Sequence, residues 1–316
     1  MQAKPGSEAP AVMTVLGPRP VEQIGIADAH NHVWIDVVPG AAPDSPHLDD
    51  SAQILAELVE YRLAGGNTIL DCQPAGCGRN GIQLYELSLA SGVNLVACTG
   101  FHRQRYYAPD YWLWQRDAGK VSQYLIREFS QGLEETRNLA QIVKPGFIKI
   151  ACEVDLDHTP QAALEGAAIA AATTHAAIEI HTEKGGDAEN IVRYFIDHDV
   201  SAHQLILCHI DKRPDFGLHR SLAQAGVLLE YDTFYRAKYA PQDNLWPLIE
   251  KMISAGLSSA VALATDIAEE NMRCSAGGPG FVGFLTIIRA GLADRGVSPD
   301  TMKNLLGGNL ACRLAI

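Results

Sequence analysis

Ile26-Ala27-Asp28-Ala29-His30-Asn31-His32 reads as a short strand that ends in two histidines one residue apart. Alternate residues of a strand project to the same side, so both imidazoles face one way at the strand's carboxyl end. Alone, such a pair is a weak sign of a metal site. Its weight comes from the rest of the chain.

Short apolar runs recur at 67–72, 93–99, 146–151, 177–181, 204–209, 227–231 and 261–266, with segments of helical periodicity between them. Together with 26–32 they make eight strand-then-helix units, the pattern of a parallel sheet with helical crossovers. In 316 residues this fits the α/β class and a (β/α)8 TIM barrel, read as a single barrel over 14–316 behind a flexible N-terminal segment, 1–13. In 51–66, Ile54, Leu55, Leu58, Val59 and Leu63 are expected on one helical face, and Gly65-Gly66 is the stop signal. Two stretches break the rhythm. Residues 100–120, rich in aromatics and arginines, read as a long loop at the barrel mouth. Residues 267–280, which include Ser275-Ala276-Gly277-Gly278-Pro279-Gly280, read as a mobile or tightly turned lid.

In a parallel barrel every strand's carboxyl end opens on one face, so polar residues that terminate apolar strands converge although they are distant in sequence. Strand four carries Phe147-Ile148-Lys149-Ile150, strand five ends at His181, strand six at His209 and strand eight at Asp266. With His30 and His32 these make an inventory of imidazole and carboxylate suited to zinc, manganese, iron or cobalt. Lys149 stands apart, because an ammonium repels cations. It is either a partly buried lysine paired with a carboxylate such as Glu153, or a neutral amine able to add carbon dioxide and form a metal-binding carbamate. The residues alone leave both open.

Two divalent ions lower the pKa of a bound water and polarise a carbonyl or phosphoryl oxygen, which points to hydrolysis. Asp266 is the candidate proton acceptor, passing the proton towards the leaving group. Arg103, Arg236, Lys238, Tyr239 and Arg273, all in loops after strands, are the candidate substrate contacts.

The formal charge of −12 leaves no general basic field, which argues against nucleic acid and against anionic membranes and makes a small molecule the expected substrate. No apolar run reaches the length of a membrane span and no leader pattern opens the chain, so a cytoplasmic location is expected. The seven cysteines include no CxxC pair and are expected as free, mostly buried thiols.

Thr14-Val15-Leu16-Gly17-Pro18 before the HxH pair, the lysine of Phe147-Ile148-Lys149-Ile150, then Glu179-Ile180-His181-Thr182-Glu183-Lys184-Gly185, Cys208-His209-Ile210-Asp211-Lys212-Arg213-Pro214-Asp215, Ala264-Thr265-Asp266 and Gly308-Asn309 resemble the phosphotriesterase-related branch of the amidohydrolase superfamily. The resemblance runs from about Thr14 to Leu314. It implies a binuclear site in which His30, His32 and Asp266 hold the more buried ion, His181 and His209 hold the more exposed one, and carbamylated Lys149 bridges both together with a hydroxide. A homodimer is implied in the same way. Tyr231-Asp232-Thr233-Phe234-Tyr235-Arg236-Ala237-Lys238-Tyr239 is similar to the corresponding loop of family lactonases acting on sugar lactones, some phosphorylated, which makes Lys238 and Tyr239 candidates for a substrate phosphate or carboxylate. The segment Asn309-Leu310-Ala311-Cys312-Arg313 matches the family's closing motif only approximately. The expected activity is therefore that of a lactonase or carboxylic ester hydrolase. An organophosphate triester or phosphodiester hydrolase is the alternative enzyme, and a ligand- or metal-binding barrel without turnover is the alternative of another class.

Overall fold

The computed structural model describes residues 10–315 and gathers the strands into one parallel sheet of eight, preceded by a two-stranded hairpin. The hairpin is β1 (Ala11–Thr14) with β2 (Gly17–Pro20). The barrel strands are β3 (Ala27–Asn31), β4 (Thr68–Asp71), β5 (Asn94–Gly100), β6 (Phe147–Ala151), β7 (Ile178–His181), β8 (Leu205–Cys208), β9 (Leu228–Tyr231) and β10 (Val261–Leu263), each laddered to the next in chain order. All eight expected strands are present, their ends shifted by at most a few residues. The N-terminal expectation is corrected in part: residues 11–13 belong to β1, while 1–9 lie outside the described residues.

Helices α1 (Ser51–Leu63), α2 (Gly81–Ser91), α3 (Ala118–Gln131), α4 (Gln161–Thr174), α5 (Ala188–Asp197), α6 (Phe216–Gln224) and α7 (Leu245–Ser254) follow the strands from β3 to β9 in turn. After β10 come a π-helical turn leading into α8 (Ala290–Asp294), then α9 (Pro299–Lys303) and, past a second π-turn, α10 (Asn309–Leu314). Asp50 caps α1, its carboxylate accepting the amides of Ala52 and Gln53 at 3.1 Å. The buried face of α1 is Ile54, Glu57, Leu58 and Tyr61, whereas Leu63 is 81% exposed and Val59 36%. The helix is rotated from the expected setting because Tyr61 donates its hydroxyl to the carbonyl of Thr68 at 3.0 Å and Glu57 accepts the amide of Cys274 at 2.8 Å. None of the described helices is long and apolar enough to cross a membrane. All seven cysteines are free, five of them buried.

Two local devices set the mouth of the barrel. In β3, Asp28 lies opposite Ile69 of β4 and Asn31 opposite Asp71, so β3 spends one residue more than its partner over the same span. That bulge keeps Ala29 in the lumen and turns the next residue, His30, inward as well. The second device is the seam between β10 and β3, which share no regular ladder. It is closed by the Asp266 amide donating to the His30 carbonyl at 3.0 Å and the His32 amide donating to the Ile267 carbonyl at 3.2 Å. Asp28 reinforces it, accepting from the Thr265 amide at 3.0 Å and the Thr265 hydroxyl at 2.6 Å.

Inside the barrel Leu70, Val96, Phe147, Ile206 and Leu228 pack with Val12 of the hairpin and Leu310 and Leu314 of α10, which plug the amino-terminal end. The opposite end of the lumen is polar, and the site lies there.

Candidate active site

Five buried or nearly buried imidazoles form a closed ring at the carboxyl ends of the strands. Going round it, centroids lie 5.5 Å apart for His30 and His32, 6.0 Å for His32 and His102, 5.5 Å for His102 and His181, 4.5 Å for His181 and His209, and 4.9 Å for His209 and His30. Asp266 joins it, with Oδ1 at 3.8 Å from His30 Nε2 and 3.9 Å from His32 Nε2, and Oδ2 at 3.8 Å from His209 Nδ1. The structure thus brings His30, His32, His181, His209 and Asp266 together. His102, two residues past β5, is an addition that the sequence reading missed. His209 and Asp266 both adopt left-handed backbone, with φ of 61° and 48°. For residues other than glycine this costs about 1–2 kcal/mol each, a strain typical of functional positions.

What each ring nitrogen faces decides what it can do. His30 Nδ1 meets Glu230 Oε1 at 2.9 Å, His32 Nδ1 meets Gln73 Oε1 at 2.6 Å, and His209 Nδ1 meets Asp232 Oδ2 at 2.6 Å. All three partners are acceptors, so in the neutral ring each Nδ1 carries the proton and each Nε2 keeps a lone pair for a cation. His181 leaves Nε2 buried without a hydrogen-bond partner. Burial holds His32 down to about 3 and His181 to about 4, and pushes His209 well below the ordinary range, so these rings are neutral. His30 runs the other way. Burial opposes its charge, but acidic groups of the lumen, Cys72 and Glu230 among them, outweigh that effect and raise it well above the ordinary imidazole value. Burial alone would raise Asp266, but Arg236 and then His30 hold the carboxyl well below its usual range.

Beneath the ring the lumen holds a second polar tier. Lys149 is fully buried, with Nζ 2.8 Å from Glu179 Oε1 and 3.1 Å from Cys208 Sγ. Its carboxylate partner is therefore Glu179 and not Glu153, which instead accepts from Arg103 at 3.0 Å. Glu179 sits two residues before His181 on β7, a spacing that places it on the same face, and Glu230 stands out as an acid within the apolar β9. Both were readable from alternation. Gly100, with φ of 125°, is what allows β5 to approach this tier, since a Cβ there would lie 1.8 Å from the carbonyl oxygen of Lys149.

His30, His209 and Asp266 offer atoms within 4.8 Å of one another, and His30, Glu179, Cys208 and Glu230 form a second such group below. The orphaned Nε2 of His181 and the three outward-anchored imidazoles are the donor set of a divalent ion, so the residues present fit a metal centre.

A sequence model described as the phosphotriesterase family matches residues 10–311. The chain belongs to the phosphotriesterase family. Among its curated relatives is a phospho-furanose lactonase of Mycoplasmopsis synoviae (strain 53), 28% identical over a segment covering 80% of this chain and 75% of that one. A phospho-furanose lactonase of Mycoplasmopsis agalactiae is 30% identical, covering 74% of this chain and 69% of the relative. The crystal structure of a lactonase from Listeria monocytogenes has the same fold, with a TM-score of 0.85 over 97% of this chain and 99% of that one at 21% identity.

Of the substrate contacts expected from the sequence, the structure sets three to other work. Arg273 is buried and donates to the carbonyls of His32 and Val33 at 3.2 and 3.1 Å, with its guanidinium 4.4 Å above the Phe281 ring. It ties the 267–280 loop to the HxH segment, and this loop is the tightly turned of the two forms expected. Arg103 is neutralised by Glu153 and by Glu183, 2.9 Å away. Arg236 donates to the carbonyl of Asp266 at 2.8 Å and to its carboxylate. Lys238 and Tyr239 lie together, Nζ 5.2 Å from the ring centroid, and Lys212 approaches the same ring at 5.8 Å. Neither lysine has an acidic partner among the described ion pairs.

Proposed function

We propose that this member of the phosphotriesterase family is a metal-dependent lactonase or carboxylic ester hydrolase, acting on a small lactone that carries an anionic group such as phosphate. The observation that carries the reading is the set of imidazoles whose Nδ1 atoms are anchored by Glu230, Gln73 and Asp232, which leaves the Nε2 atoms free and turns those of His30 and His32 towards Asp266. His30, His32, His181, His209, Asp266 and carbamylated Lys149 are the residues proposed to hold two divalent ions, zinc first and manganese, cobalt or iron as alternatives. When bound, such ions supply a water that ionises near neutral pH and a Lewis acid for the substrate carbonyl.

The chain's own residues supply the rest. Asp266 takes up the proton released as the carbonyl carbon gains oxygen and returns it towards the departing oxygen. Arg236 fixes the angle of that carboxylate through two hydrogen bonds, one to its backbone. Lys212, Lys238 and Tyr239 face an anionic substituent, a charge-assisted contact that also orients the ring. The phospho-furanose lactonase relatives support the same substrate class.

A second reading, phosphotriester hydrolysis, draws on a cavity of about 320 Å³ beside His32 and His102, whose wall includes Val37, Val38, Ala41 and Pro43 and suits a neutral apolar ester. One panel separates the two: sugar lactones with and without phosphate, acyl-homoserine lactones, aryl esters and paraoxon, assayed with zinc or manganese in bicarbonate buffer. Preference for a phosphorylated lactone by orders of magnitude, lost about 10²–10⁴-fold in Asp266→Asn, supports the proposal. Turnover of paraoxon alone establishes the second reading.

A further inference from the structure

His102 closes the histidine ring yet differs from its neighbours in the one property that matters for a ligand. Its Nδ1 accepts the backbone amide of Arg103 at 2.8 Å, so that nitrogen is the bare one and the proton of the neutral ring sits on Nε2. His30, His32 and His209 have the opposite arrangement. The pose is held from two sides. The His102 amide donates to the Tyr107 hydroxyl at 2.8 Å, and the Tyr106 ring stands edge-on at 4.9 Å. An Nε2 that already bears hydrogen offers a metal no lone pair. It offers a substrate a hydrogen-bond donor.

The surroundings say where that donor is available. His102 is 7% exposed, and it lines the cavity that opens beside His32. Gln73, on the same wall, has its carbonyl engaged by His32 and its amide by Cys77. Asp266, the proton carrier of the proposed reaction, follows β10 at the seam, and Arg236 donates to its Oδ2. A departing alkoxide held in that cavity faces the His102 N–H, and Asp266 Oδ1, 3.9 Å from His32 Nε2, is the oxygen left free of Arg236.

We propose that His102 is a catalytic residue, not a fifth imidazole ligand, and that its Nε2–H donates a hydrogen bond to the ester's departing oxygen as negative charge grows there. The proton stays on His102 throughout. The carbon–oxygen bond of the ester breaks, the electron pair goes to the departing oxygen, and that oxygen is protonated from Asp266. The inference rests on the ester-hydrolase reading. Removing one preorganised donor of this kind costs about 10²–10³-fold in rate.

The test compares wild type with His102→Phe, which keeps an aromatic ring without a donor, and His102→Gln, whose amide nitrogen reaches the place of Nε2. Each is assayed on an alkyl ester or lactone and on the 4-nitrophenyl ester of the same acid, whose departing oxygen needs no help. The expected result is two metal ions per chain in all three proteins. His102→Phe loses about 100-fold in kcat on the alkyl substrate with KM little changed, loses under about threefold on the nitrophenyl ester, and is rescued at least tenfold by Gln. Independently of activity, a 15N–1H spectrum of the metal-free protein is expected to show the His102 proton on Nε2. Metal lost with the ring, equal losses on both esters, or the proton on Nδ1 overturns the proposal. If the wild type hydrolyses neither ester, the parent reading fails and takes this one with it; if it hydrolyses both and the variants match it, only this one fails.

Discussion

Lys149 is held 2.8 Å from Glu179 with no solvent contact, an ion pair that is complete without any metal. Conversion to a carbamate replaces that cation with an anion and needs carbon dioxide, so metal loading is expected to depend on it. Reconstituting the metal-free protein with zinc should reach two ions per chain faster in bicarbonate buffer than in carbon dioxide-free buffer, as read by elemental analysis. Identical loading in both, with the lysine mass unmodified, rules out the carbamate. Lys212 and Lys238 bear on substrate choice. Replacing both by Ala should raise KM for a phosphorylated lactone about 10–100-fold and leave the unphosphorylated analogue within a factor of three, the range of charge-assisted hydrogen bonds. At this scale the sequence was most legible where a polar side chain ends an apolar run, as at His181, His209 and Asp266. It gave no sign of the bonds that Arg273 and Arg236 make within the chain, because a loop cation looks the same whether it faces a ligand or a carbonyl of its own chain.

Among the elements, the seam of β10 against β3 carries the most consequence for its size. Thr265 spans it with a hydroxyl that donates 2.6 Å to a fully buried Asp28 carboxylate. Thr265→Val keeps the shape and removes the donor, so about 1–3 kcal/mol of stability should be lost, measured by urea unfolding. A change below about 0.5 kcal/mol would show that the backbone bonds alone hold the seam. The strands were visible beforehand because their alternation and spacing are properties of single segments. The β3 bulge and the rotation of α1 were not, since each depends on a partner: Asp71 across the ladder, and the carbonyl of Thr68 under Tyr61. His102 was hidden for a related reason, since its significance comes only from ring neighbours on other strands.

The molecule as a whole should feel its metals and its buried acids as changes in stability. Ions that bind only the folded chain stabilise it by about 4 kcal/mol at a thousand times the dissociation constant, so a chelator is expected to lower Tm by several degrees. With metal removed, pH takes over. Burial pushes the carboxyls of Asp28 and Asp71 up from 3.8 to about 7. A raised acid pKa means that the folded state holds protons the unfolded chain has released, so this contribution is present below pH 4 and is lost as pH rises through 7. The metal-free protein should be more stable at pH 5.5 than at pH 8 in urea titrations, and Asp71→Asn should flatten that slope. No flattening means that Asp71 is ionised throughout.

The seam also sets an order of events in time. His30 and His32 belong to the first barrel strand to leave the ribosome, whereas Asp266 comes after the last, and the Asp28 to Thr265 contact between those strands joins residues 237 apart. At roughly 5–20 residues per second, tens of seconds separate the two halves of the proposed metal site during synthesis. A nascent chain therefore carries imidazoles without their carboxylate, and its full affinity for metal arrives only with the eighth strand. Loading with metal then reports that translation has passed that strand and that the barrel has closed.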